Sequence, residues 1–157
     1  MVLLEEEVTS TTNDEDLAEA AKLKERLAQS DGKCDVVVVG DNVVPNVKID
    51  KGRHKYVLIS AVVASSGNLE YFVTSKRGAQ YHRNAAEPFV EELDRNGYKD
   101  IRIKGGGRID FDDNSKKIHI YGYSYGFGQA DHEISKQVIL SDNRFANYII
   151  TCSNDGY

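Results

Sequence analysis

Residues 99–128 read KDIRIKGGGRIDFDDNSKKIHIYGYSYGFG, and the fold is decided there. Ile101 and Ile103 alternate with polar neighbours, as do Ile118 and Ile120. Period-two alternation is the pattern of strands buried on one face. Between the two runs, Asp110-x-Asp112-x-Asn114 reads as a polar hairpin turn. It starts like a calcium loop, but Ser115 and Tyr121 stand where that loop needs Gly and Glu.

Working outward, Tyr56–Val63 is apolar and β-branched, bounded by Lys51-Gly52 and Ser65-Ser66-Gly67, and reads as a further strand. Ala86, Phe89, Val90 and Leu93 recur at helical spacing among charged residues and stop at Gly97. Pro88 lies near the start of this helix, so its regular part begins there or bends there. Asp131 caps a second helix over about 132–140, and Tyr148–Cys152 is a last strand. The class is therefore α+β: a single mixed β-sheet with two core helices packed on it, plus an N-terminal helical extension. That extension covers residues 1–44. It has a mobile start over 1–13 and a helix from Asn13 to about Gln29 with Leu17, Ala20, Leu23 and Leu27 on one stripe. Val36–Val39 then reads as a buried or edge strand. Residues 45–157 form the main domain.

The charge balance narrows the function. Twenty Lys and Arg against twenty-five Asp and Glu give a net charge of −5, which disfavours general nucleic-acid binding. The opening MVLLEEEV has neither a basic start nor a long apolar run, so no membrane segment is expected. Cys34 and Cys152 form no Cys-x-x-Cys pair, which suits a reducing, cytoplasmic setting. Cysteine-phosphatase chemistry is excluded, because Gly40 stands where Cys34 would need its arginine.

Several motifs carry chemistry. Gly105-Gly106-Gly107-Arg108 reads as a turn, or as an anion site in which amides and a guanidinium meet phosphate. Gly122-Tyr-Ser124-Tyr-Gly126 matches G-x-S-x-G, but the chain after Ser124 is too short for a hydrolase triad. What remains is a glycine-rich packing loop or an amide nest for phosphate. The histidines are His54, His82, His119 and His132, with no zinc-site spacing among them. His119 reads as structural. His82 precedes a helix, whose N-terminal potential favours neutral imidazole, the form a base or nucleophile needs.

Taken in order, Lys55-Tyr-Val-Leu-Ile59, Gln80-Tyr-His82, Gly105-Gly-Gly-Arg108, Lys116-Lys-Ile-His-Ile-Tyr-Gly-Tyr-Ser124 and Asn154-Asp-Gly-Tyr157 resemble the small phosphohistidine phosphatases of the janus/ocnus family. The resemblance runs from Pro45 to Tyr157. It implies a metal-free, cofactor-free protein-histidine phosphatase, with phosphohistidine-containing proteins as substrates, inorganic phosphate as product and a monomeric state. It implies His82 as catalytic base, with Lys55, Arg108, Ser124, Tyr125 and Gly126 holding substrate or phosphate, and His132 in a secondary role. Arg83 departs from the family's usual Ala after the histidine, and Pro88 interrupts its helix. The alternative reading is a non-catalytic phosphate-binding regulator of the same fold. Whether His82 acts as base or nucleophile stays open at this level.

Overall fold

The computed structural model describes residues 13–30 and 44–153. The expected Val36–Val39 strand, the mobile start before Asn13 and the terminal Asn154–Tyr157 motif lie outside the described residues. The order is α1 (Asn13–Ser30), β1 (Val47–Lys48), β2 (Gly52–Val62), β3 (Leu69–Ser75), α2 (His82–Arg95), β4 (Lys99–Asp112), β5 (Lys117–Tyr121), α3 (His132–Leu140), a 3-10 turn (Asn143–Phe145) and β6 (Ile149–Cys152). The strands make one sheet in the order β1-β3-β2-β4-β5-β6. Its outer pairs, β1/β3 and β5/β6, are parallel, and the three inner pairs are antiparallel. The α+β class with one mixed sheet is as the sequence reading has it.

Strand alternation sorts the core onto two faces. Val57, Ile59 and Ala61 of β2 pack with Ala86, Phe89, Val90 and Leu93 of α2. Tyr56 and Leu58 point the other way, toward Ile109, Ile118, Ile120 and Ile139. Asp131 caps α3 as expected, accepting from the amides of Glu133 and Ile134.

Three local expectations change. Strand β3, Leu69-Glu-Tyr-Phe-Val-Thr-Ser75, was not anticipated, although Tyr71, Phe72 and Val73 favour a strand. Helix α2 begins at His82 and continues through Pro88. Pro88 lies on the exposed side, and Asn84, four residues before it, directs its side chain to the Tyr81 amide at 2.9 Å. The three glycines are not a turn: they sit inside β4, where Gly105, Gly106 and Gly107 face Leu58, Val57 and Tyr56.

The reason for glycine is space. A Cβ on Gly106 would lie 2.8 Å from His82 Cδ2 and 3.2 Å from Ser124 Cβ; one on Gly107 would lie 2.4 Å from the Tyr121 carbonyl oxygen and 2.9 Å from His132 Cε1. The strand is pressed from both faces at consecutive residues.

Helix α1 joins the same core. Ala20 and Leu23 are buried in the α2 cluster, whereas Leu17, on the expected stripe, is 52% exposed. Glu19 pairs with Arg83 at 2.8 Å, and Arg83 also reaches Glu87 at 3.1 Å. A fully buried leucine is worth about 2–5 kcal/mol against alanine. Leu23→Ala should therefore lower unfolding stability in denaturant titrations by that order, while Leu17→Ala should change it by less than about 0.5 kcal/mol. Equal, small effects at both positions would mean that α1 does not belong to the cooperative core.

Candidate active site

His82 is the first residue of α2 and is wholly buried, at 0% exposure. Its Nε2 lies 3.0 Å from the Gly107 carbonyl oxygen. A carbonyl only accepts, so Nε2 carries a hydrogen and donates it. The Cδ2 edge rests against Gly106. No acidic residue occupies the first turn of α2, so the positive end of the helix dipole is not offset there by its own side chains.

Lys55 and Arg108 sit directly opposite each other in the β2/β4 ladder. Directly paired residues project to one side of a sheet. That side is the one bearing Val57 and α2, because Tyr56 and Ile109 point into the opposite core. Ser124 approaches Gly106 on this face as well. The structure thus brings His82, Lys55, Arg108 and Ser124 to one side of β4.

The loop after β5 is tied to that strand. Gly106 N–H donates to Gly128 O at 2.9 Å, and Ala130 N–H donates to Gly106 O at 3.1 Å. The Gly106 amide is therefore engaged by the loop. Within the loop, Gly128 N–H donates to Ser124 O at 2.7 Å, Ser124 N–H to Gly128 O at 3.2 Å and Phe127 N–H to Ser124 Oγ at 3.1 Å. Gly126 is buried; Tyr125 is 45% exposed, and its ring meets Tyr123 edge-on.

His132 stands on the opposite face. Its Nε2 donates to the Gly122 carbonyl at 2.9 Å, and its Nδ1 meets the Tyr56 hydroxyl at 2.6 Å. Tyr56 in turn meets Ser135 Oγ at 3.0 Å. Both ring nitrogens are used, and the ring braces the segment leading into the loop. Arg83 does not turn toward the sheet; it is held between Glu19 and Glu87. His54 meets the Lys51 carbonyl, and His119 bonds Thr151 Oγ1 on β6. Among the described residues, no three His, Cys, Asp or Glu side chains are grouped to hold a metal ion, and no helix is long and apolar enough to cross a membrane.

Sequence reading did not find Lys24. Its ammonium donates to the Gly126 carbonyl at 2.7 Å and sits 5.6 Å from the centre of the Phe127 ring. The contact joins residues 102 positions apart, so no local pattern announces it.

In this α+β fold the helix-terminal His82, the paired Lys55 and Arg108 and the glycine-rich loop at Ser124 make a candidate anion site. Residues 41–149 match the Janus/Ocnus family (Ocnus), and the chain belongs to that family. It is 38% identical over 120 residues to a 14 kDa phosphohistidine phosphatase of Sus scrofa, covering 73% of this chain and 93% of the relative. It is 35% identical over 121 residues to a 14 kDa phosphohistidine phosphatase of Homo sapiens, covering 73% and 94%. It is 36% identical over 113 residues to the sex-regulated protein janus-B of Drosophila erecta, covering 71% and 79%.

Burial is the main cause that holds His132 below the usual histidine value of 6.5; the Gly122 carbonyl opposes it. In the window between the lowered folded value and 6.5, the unfolded chain binds the proton more readily. Stability from this group is thus complete above 6.5 and declines as pH falls toward the folded value. Unfolding midpoints measured across that range should fall more steeply for the wild type than for His132→Gln.

Proposed function

We propose that the protein hydrolyses phosphohistidine in other proteins, with His82 as the base and no metal or cofactor. The observation that carries this reading is the setting of His82. Its Nε2 is fixed on the Gly107 carbonyl, and Lys55, Arg108 and Ser124 share its side of the sheet. The names of the Sus scrofa and Homo sapiens relatives support the same substrate class.

In this mechanism Lys55, Arg108 and the Ser124-Tyr125-Gly126 loop hold the phosphoryl oxygens and offset their charge. Water attacks phosphorus while His82 Nδ1 takes its proton. The P–N bond breaks, its electron pair stays on the substrate imidazole nitrogen, that nitrogen takes the proton His82 removed from water, and inorganic phosphate leaves. General-base assistance is worth about 10²–10⁴-fold. Because the ring is enclosed, a phosphoryl group reaches Nδ1 only with a local opening of the surrounding side chains. If Nδ1 instead attacks phosphorus directly, the phosphoryl group passes through His82 before water removes it.

Replacing His82 with Gln keeps an amide donor for the Gly107 carbonyl but removes the Nδ1 lone pair. His82→Gln should therefore stay folded, bind inorganic phosphate, and lose at least about a hundredfold in turnover. Acid-labile label on the wild-type protein during a single turnover would identify the nucleophilic route; label only in free phosphate would identify the base route. Near-normal turnover by folded His82→Gln would remove His82 from the chemistry.

Charged hydrogen bonds contribute about 1.5–3 kcal/mol each. Lys55→Ala and Arg108→Ala should each weaken phosphate binding by about ten- to a hundredfold. Turnover should survive excess chelator. Phosphate binding by the wild type without phosphohistidine turnover would instead favour a regulatory phosphate-binding protein.

A further inference from the structure

Helix α1 lies outside the family-matched span of 41–149, yet it touches the candidate phosphate loop. Ala20 and Leu23 anchor it in the core, and Glu19 ties it to Arg83, the residue after His82. From this fixed helix Lys24 Nζ donates to the Gly126 carbonyl at 2.7 Å. That carbonyl belongs to the same peptide unit as the Phe127 N–H. The Phe127 N–H donates to Ser124 Oγ at 3.1 Å. A continuous path therefore runs from the Lys24 ammonium through one peptide group to the Ser124 hydroxyl.

We propose that Lys24 is a positioning residue of the phosphate loop, which orients the Ser124 hydroxyl through the Gly126–Phe127 peptide. This rests on the reading of the loop as the anion site given above. A cation on a peptide oxygen draws electron density from the nitrogen and makes its N–H a stronger donor. The strengthened N–H occupies one lone pair of Ser124 Oγ. A serine so engaged keeps its O–H as the group it presents to an acceptor, and a phosphate oxygen is such an acceptor. The Lys24 ammonium lies 5.6 Å from the centroid of the Phe127 ring, so cation–π attraction steadies the same contact. An element added to the family domain thereby sets the geometry of the family's loop.

The test uses the full chain and the variants Lys24→Met and Lys24→Arg. Methionine keeps an unbranched stem without the charge, and arginine keeps a cationic donor. Lys24→Met should reduce kcat/KM for a phosphohistidine protein, or affinity for inorganic phosphate, by about three- to tenfold, with little change in unfolding midpoint. Lys24→Arg should restore most of the loss. In a Ser124→Ala background, Lys24→Met should have no further effect, because the path then ends on no hydroxyl. The Phe127 amide proton should shift upfield in Lys24→Met, a nuclear magnetic resonance readout independent of turnover. A full Lys24→Met effect in the Ser124→Ala background, or an unmoved Phe127 amide, would overturn the proposal while leaving the phosphatase reading intact. A Phe127 amide that shifts in Lys24→Met, together with a wild-type chain that neither binds phosphate nor turns over phosphohistidine, would retain the path from Lys24 to Ser124. It would reject the anion site, and with it the role proposed for Lys24.

Discussion

At Gly106 and Gly107 the backbone of β4 passes between two layers with no room for side chains. On one side the strand meets the edge of His82 and the Cβ of Ser124; on the other it meets His132 and Tyr56. Adding even one methyl group at such a position forces neighbours that have nowhere to go. Gly105 adds a positive φ of +142° beside the point where the β2/β4 register shifts. The local irregularity and the close approach on both faces belong together. They let α2 and the loop after β5 reach the same short piece of strand.

Two buried histidines flank this strand. Both donate from Nε2 to a backbone carbonyl, Gly107 for His82 and Gly122 for His132. His132 spends its second nitrogen on Tyr56, itself bonded to Ser135. That network ties α3 to β2 and braces the approach to the loop from beneath. His82 sits on the face shared by Lys55 and Arg108, the cationic company that the proposed hydrolysis calls for. One strand thus separates a structural histidine from a candidate chemical one.

The N-terminal helix changes how the family domain is completed. Arg83 is occupied by Glu19 of α1 and Glu87 of its own helix. Hydrogen bonding to Arg83 is the first cause that keeps the Glu19 carboxyl below its usual value, so the pair is ionised at neutral pH. Arg83 thereby serves as a docking contact for α1, which lies outside the family-matched residues 41–149.

Much of this was written in local sequence. Alternating isoleucines fixed β4 and β5, helical spacing fixed α2, and Asp131 fixed the start of α3, because each depends on residues a few positions apart. The blocks around Lys55, His82, Arg108 and Ser124 indicated the family and the candidate site for the same reason. Three things were decided only in three dimensions. The glycines proved to lie within a strand, since the side chains that exclude a Cβ come from α2, α3 and a distant loop. Strand β3 is a middle strand of the sheet, and its burial depends on α2 arriving to cover Phe72. The contacts of Lys24 with Gly126 and of Glu19 with Arg83 arise because buried Ala20 and Leu23 set the helix down where it lies. Local pattern records which face of a segment is apolar; only packing determines which polar groups that face brings within hydrogen-bonding distance.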